Sequence, residues 1–166
     1  MQFSQLPDIR TEHVYLRPIR ESDLQDWFDY LTVPGFLDHT SRVLKAVSEL
    51  VHAIYDPASH AADTQIGSIG FHSVQPAHCT AELAYDLSRK AWGKRTLAQL
   101  IPPLLDWVHS EVGIIQVQTH AHVDNTRSIH VLERAGFIHE GTLHCLRMVR
   151  GQPSDFQLYA HVRTET

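Results

Sequence analysis

The sequence predicts a mixed α/β (α+β) fold, in which a central, mostly antiparallel sheet is flanked by helices in one domain spanning residues 1–166. Three observations predict it. Paired β-rich runs, "QIGSIGFHSV" with "TAELAYDL" and "FIHEGTLHCLRMVR" with "DFQLYAHVR", read as hairpins. Between them the chain alternates strand, helix, strand, helix, strand, the pattern of a sheet with packed helices. No repeat, linker or low-complexity stretch divides the 166 residues, a length that buries roughly two-thirds of the unfolded surface in one core.

In chain order, "HVYLRPI" is a first strand with Val14 and Leu16 on one face, and Pro18 suits a sheet edge. "ESDLQDWFDYL" opens a helix, with Ser22 and Gln25 at capping-box spacing. A second helix is expected from about Ser41, because Val43, Val47, Leu50, Val51 and Ile54 recur at helical period. "YDPASHAADT" is a loop, and "QPAHC" turns the first paired run into the second. The bend "SRKAWGKR" leads into a long helix ending near Ser110, where Pro102 and Pro103 remove two donors and should bend it. "IIQVQTHAHV" is a β-branched strand. The next helix begins at Asn125 and stops at Gly136, its C′ residue in the left-handed conformation. A turn at "GQPS" closes the last hairpin.

Composition narrows the functional classes. A net charge of −5 argues against a broad nucleic-acid or membrane footprint. "MQFSQLPDIR" lacks a charged segment followed by an apolar one, so no signal peptide is expected, and no apolar run reaches the roughly 20 residues of a membrane helix. Cys79 and Cys145 sit in no metal-like spacing and read as reduced thiols of a cytoplasmic protein. Among 13 histidines, His120 and His122 alternate on one strand face as two metal ligands would, but no third ligand falls at a telling distance. Surface or hydrogen-bonded histidines are the better reading, and no metal is assigned.

The segment from Arg89 to Arg95 holds Arg89, Lys90, Lys94 and Arg95 in an otherwise acidic chain. It lies between a strand end and a helix start, where unpaired N–H groups and the helix dipole favour an anion. Gly93 lets a ligand approach the backbone closely. The features suggest a phosphate or pyrophosphate site; the alternative is a solvated basic turn.

"AELAYDLSRKAWGKR", "DWVHSEVGIIQVQTHAHVDNTRSIHVLERAGFIHEG" and "MVRGQPSDFQLYAHV" together resemble the GNAT acetyltransferase superfamily, and within it the ribosomal-protein-alanine N-acetyltransferase branch. The resemblance runs from about Val14 to Val162 and is strongest from Ala81 to Gly141. It implies acetyl transfer from acetyl-CoA to a primary amine, with a protein or peptide N-terminal α-amine as leading acceptor. The pantetheine arm would lie in a splay between "TAELAYDL" and "IIQVQTHAHV", and the pyrophosphate on the amides of "KAWGKR". Leu87, Lys90, Trp92, Gly93, Lys94, Arg95, Thr96, Leu97 and Asn125 are the cofactor-binding residues it implies. Other readings are acetylation of a small amine (polyamine, amino acid or antibiotic) and a non-catalytic acyl-CoA-binding module. No nucleic-acid or membrane partner is expected, and monomer and homodimer stay open.

Three departures from the family pattern stand out. Arg95 replaces a small residue of the bend, where it either adds a phosphate contact or crowds the pyrophosphate. Only a short segment separates the second expected helix from "QIGSIGF", so the strand usually found there is expected to be shortened or missing. Leu132 occupies the place of the tyrosine general acid that many members carry, which leaves Ser128 as the candidate.

The chemistry needs a neutral amine, a donor for the oxyanion and a proton for the leaving thiolate. An α-amine titrates near 7.7–8.0, so a base has about one unit of work at neutral pH. Glu82 is the candidate base, directly or through a water, and burial in the sheet is expected to raise its pKa. Its alternative is a structural glutamate. Ser128 would orient the thiol, while helix capping alone would also account for Asn125 and Ser128. The oxyanion donor would be a backbone N–H of "TAELAYDL", where a splayed strand leaves amides unpaired. Tyr85 and Tyr159 read as core or rim residues.

Overall fold

The computed structural model describes residues 7–11, 13–34, 50–57 and 64–164. Their elements are β1 (Tyr15–Pro18), α1 (Leu24–Leu31), β2 (Leu50–Tyr55), β3 (Gln65–Gln75), β4 (Thr80–Leu87), α2 (Thr96–Ser110), β5 (Gln116–His122), α3 (Thr126–Arg134), β6 (Ile138–Val149) and β7 (Gln152–Val162). Short 3-10 turns at Glu21–Asp23 and Arg89–Ala91 precede α1 and α2. The strands form one sheet ordered β1-β2-β3-β4-β5-β7-β6. Every pairing is antiparallel except β4 with β5, so the mixed, mostly antiparallel sheet is as the sequence predicts.

β1 is the edge strand that Pro18 suits, and Val14 and Leu16 are both buried. α1 starts differently from expectation. The Asp23 carboxylate, rather than a Ser22–Gln25 box, reaches back to accept from the Arg20 N–H at 2.6 Å, while Gln25 bonds Asp29. Asp23 wins that position because Arg17 holds it in a two-pronged ion pair, at 2.8 and 2.9 Å.

The second helix is corrected in part. Residues 50–55 form strand β2, paired on one side with β1 and on the other with β3; residues 41–49 lie outside the described set. A short apolar run fits a helical and a strand period equally, and the two flanking strands decide the matter. The strand expected to be shortened or missing before Gln65 is therefore present, six residues long.

α2 is continuous through Pro102 and Pro103. It buries Leu97, Leu100, Ile101, Leu104, Leu105 and Val108 against one sheet face that presents Ile69, Phe71, Ala81, Leu83 and Val117. Each such side chain contributes roughly 1.5–3 kcal/mol relative to exposure, so this face carries much of the core. α3 covers the same face through Leu132 and ends as predicted: Gly136 has φ +85°, and Phe137 N–H donates to the Leu132 carbonyl at 3.0 Å. The β6–β7 turn falls at Arg150-Gly151, both with positive φ, two residues earlier than "GQPS" suggests. No described helix is long and apolar enough to cross a membrane.

Candidate active site

β4 and β5 pair at only three positions, Thr80 with Gln116, Ala81 with Val117 and Glu82 with Gln118. Beyond Glu82 each strand continues, β4 to Leu87 and β5 to His122, with no pairing between them. The parallel neighbours thus part like the arms of a V. Glu82 stands at its vertex.

Strand alternation sorts the residues around that vertex. Ala81, Leu83 and Tyr85 point toward α2 and α3, whereas Glu82 points to the opposite face. His72 lies directly across from Glu82 on β3, and His120 follows Gln118 by one full pleat on β5, so all three share a face. His120 Nδ1 lies 2.9 Å from Glu82 Oε1, and His72 Nδ1 lies 3.5 Å from Oε2. A bulge in β6 brings a fourth member. The β6–β7 register shifts between Leu143 and Arg147 around Cys145, whose φ is +52°, and Arg147 Nη2 then reaches Glu82 Oε1 at 3.4 Å.

This cluster corrects the expectation for Glu82. Burial raises its pKa, as reasoned from the sequence. The His120 hydrogen bond and the charges of His72, His120 and Arg147 outweigh that, and the carboxyl is held below its ordinary value. Its side chain is 19% exposed. Glu82 is therefore an ionised, hydrogen-bonded carboxylate, and the expected rise in its pKa is reversed. The sequence carried no signal for Arg147.

On the other face, Asn125 caps α3 as expected, its Oδ1 accepting from the Ser128 N–H at 3.2 Å. The Ser128 hydroxyl meets the Tyr85 hydroxyl at 2.7 Å. Burial pushes the Tyr85 phenol up to about 12 against the opposing pull of that hydrogen bond, so it stays protonated at neutral pH. Tyr85, read from the sequence as a core or rim residue, is thus a polar partner of Ser128. Alternation alone placed it on the correct face but gave no hint of what it meets.

The bend has the geometry of an anion cradle. Gly93 has φ +77°, and a Cβ there would meet nothing within 4 Å, so the backbone is open to an incoming group. No side chain caps α2, which leaves its first-turn N–H groups for a ligand. Arg95 sits at the N-cap in the left-handed conformation with an exposed side chain, while Thr96 and Leu97 are buried in the first turn. Trp92 donates its indole N–H to the Leu87 carbonyl at 2.9 Å, tying the bend to the end of β4. Arg127 of α3 stacks over the Trp92 ring at 4.5 Å and Arg89 approaches it at 5.6 Å, so α3 adds a cation that the bend alone does not show. Lys90 is exposed, and Lys94 pairs with Asp56 at 3.3 Å. These residues fit a pyrophosphate-bearing ligand whose arm enters the V.

Among the described residues no group of three or more His, Cys, Asp or Glu side chains is arranged to hold a metal ion. His122, considered beside His120 from the sequence, instead accepts the Asp124 N–H at 3.1 Å.

Known proteins share this fold. A family model described as an acetyltransferase (GNAT) domain matches residues 13–138. The chain is 26% identical to an uncharacterized N-acetyltransferase of Bacillus subtilis, YoaA, over 95% of this chain and 97% of that one. It is 30% identical to the ribosomal-protein-serine acetyltransferase of Escherichia coli over 60% of this chain, and spans 56% of that relative's length. Among solved structures, the ribosomal-protein-S5-alanine acetyltransferase of Vibrio fischeri superimposes with a TM-score of 0.82 at 16% identity, covering 94% of this chain and 96% of that one. A spermidine N-acetyltransferase of Vibrio cholerae in complex with CoA and spermine gives 0.77 at 18% identity, covering 92% and 96%.

Proposed function

The chain belongs to the GNAT acetyltransferase family, and on that premise we propose that it acetylates the α-amine of a protein or peptide N-terminus. It is an acetyl-CoA-dependent N-acetyltransferase; the choice of acceptor is our reading. The observation that carries it is the ionised Glu82 at the vertex of the β4–β5 V, facing away from the core. An incoming ammonium is drawn to that carboxylate, and the similarity to a ribosomal-protein-serine acetyltransferase favours a polypeptide acceptor.

Residue roles follow from placement. Gly93, Lys94, Arg95, Thr96 and Leu97 hold the pyrophosphate through backbone N–H groups and charge. Lys90, Trp92 and Arg127 flank it, and Leu87 and Asn125 line the two arms of the V. Bound acetyl-CoA supplies the acetyl carbonyl. Glu82 directs removal of the proton from the acceptor, and Ser128, with Tyr85 behind it, orients and protonates the departing sulfur. Arginine at position 95 is compatible with phosphate binding, because its side chain is exposed and bidentate.

Thiol release from acetyl-CoA, measured over a panel of N-terminal peptides, spermidine, free amino acids and aminoglycosides, tests the acceptor. Turnover is expected to be highest with peptides starting in a small residue. Preference for spermidine or another small amine would overturn the polypeptide reading. Added CoA should raise the melting temperature by linkage, since it binds only the native state. CoA that neither shifts melting at millimolar concentration nor binds by calorimetry would remove the cofactor assignment.

A further inference from the structure

We propose that His120 is the group that takes the acceptor amine's proton and that Glu82 is a positioning residue which orients it. This rests on the amine-acetylation reading above. Three relationships carry it. The first is reach: His120 occupies the unpaired stretch of β5, on the same face as Glu82 and at the open side of the V. Its side chain is 15% exposed, enough for an acceptor to touch the ring.

The second is the tautomer. A ring nitrogen 2.9 Å from an ionised carboxylate must carry the proton, so Nδ1 is the N–H and Nε2 presents a lone pair. Nε2 has no hydrogen-bond partner among the described residues. A carboxylate that fixes an imidazole through Nδ1 and stabilises the imidazolium formed is the logic of base and orienter seen in catalytic triads.

The third is the state of Glu82. With His120, His72 and Arg147 all gathered on its two oxygens, the carboxylate is a stable anion and a weak proton acceptor. Imidazoles as a class titrate much nearer an α-amine than carboxylates do, so the ring is the better-matched base. Titratable and charged groups facing His120 are Glu82 on β4, His72 beyond it on β3, and Arg147 reaching in from β6. His122 follows on its own strand, and Leu158 of β7 lies directly opposite.

The proton balance is simple. The acceptor ammonium gives one proton to His120 Nε2, freeing the nitrogen lone pair. That pair forms the N–C bond as the C–S bond breaks, and the second amine proton ends on the departing sulfur. His120 returns its proton to solvent, which gives the net proton of the reaction.

Two measurements test the assignment. Nitrogen-15 NMR of the histidine rings, on the CoA complex without acceptor, should show His120 as the Nδ1–H tautomer. A His120 found as the Nε2–H tautomer would overturn the proposal. This arm needs no acceptor, so it judges His120 even if the polypeptide acceptor proves wrong. The second is the acidic limb of kcat, read with whichever amine turns over best. His120→Asn should lower kcat by roughly a hundred- to ten-thousandfold and abolish the limb, and added imidazole should partly restore His120→Ala. Glu82→Gln should lower kcat less than His120→Asn and keep the limb, with CoA affinity within a few-fold in every variant. A limb lost in Glu82→Gln and kept in His120→Asn would make Glu82 the base.

Discussion

The hydroxyls of Tyr85 and Ser128 lie 2.7 Å apart, one at the far end of β4 and the other in the first turn of α3. The pair bridges the two elements that flank the V on its core side, next to the capping contact of Asn125.

Tyr85→Phe and Ser128→Ala are each expected to lower kcat by roughly ten- to a thousandfold, the range of a lost proton-transfer partner, with CoA affinity within a few-fold. Because both hydroxyls act as one unit, the double variant should be little worse than the poorer single. Steady-state kinetics of the four proteins checks this. Near-normal kcat in Tyr85→Phe, with only a lower melting temperature, would make the contact structural.

Arg95 has φ +57°, where a residue with a Cβ is strained and glycine is not. Arg95→Gly should raise the melting temperature of the free protein, because relief of left-handed strain, about 1–2 kcal/mol, exceeds the roughly 0.4–1 kcal/mol lost to a freer unfolded chain. Arg95→Ala, which keeps the Cβ, should bring no such gain. Both should weaken CoA binding and flatten its salt dependence, since an exposed cation on a phosphate is screened by salt. Calorimetry at two ionic strengths measures the second effect; tighter binding by Arg95→Gly would mean that the arginine crowds the cradle.

Asp23 is buried and paired with Arg17, whose guanidinium also lies 4.0 Å from the Tyr55 ring centroid. Burial raises the Asp23 pKa, but the bonds from Arg17 and the Arg20 N–H prevail and hold it below its ordinary value. A carboxylate depressed on folding stabilises the protein above its unfolded pKa, and that contribution fades as pH falls through the folded value. Stability should therefore drop below about pH 4 in the native chain. Asp23→Asn should already be destabilised at neutral pH, by roughly 1–3 kcal/mol, because it loses the charge-assisted bonds from Arg17 and a charged acceptor for the Arg20 N–H. Urea unfolding across pH 2–7 reads both; a flat acid profile in the native chain would discard the linkage.

Gly67 on β3 lies against β4 so closely that a Cβ would sit 2.5 Å from the Asp86 carbonyl oxygen. The backbone there is further held by Asp86, which accepts from both the N–H and the hydroxyl of Ser68. Gly67→Ala should cost roughly 1–3 kcal/mol, the scale of overpacking, and disturb the register that sets Glu82 opposite His72. A melting curve and kcat together check it: an unchanged pair would show that β3 yields without consequence.

The chain's own sequence determined whatever depends on neighbours along it. Alternating apolar residues marked β3, β4 and β5, and Asn125 and Gly136 bounded α3, because capping and left-handed stops act over a few residues. The segment from Arg89 to Arg95 is legible as a candidate anion site for the same reason: charge, glycine and helix start are contiguous. Tertiary structure decided the rest. Residues 50–55 are a strand only because β1 and β3 hold both their edges, and the sequence alone read them as helix. Glu82 is legible in the sequence as a candidate site residue, but the direction of its pKa shift is not. Burial was legible locally, but the groups that outweigh it were not. His120 lies 38 residues away and Arg147 65, and only the parting of β4 from β5 and the bulge in β6 bring them to one carboxylate.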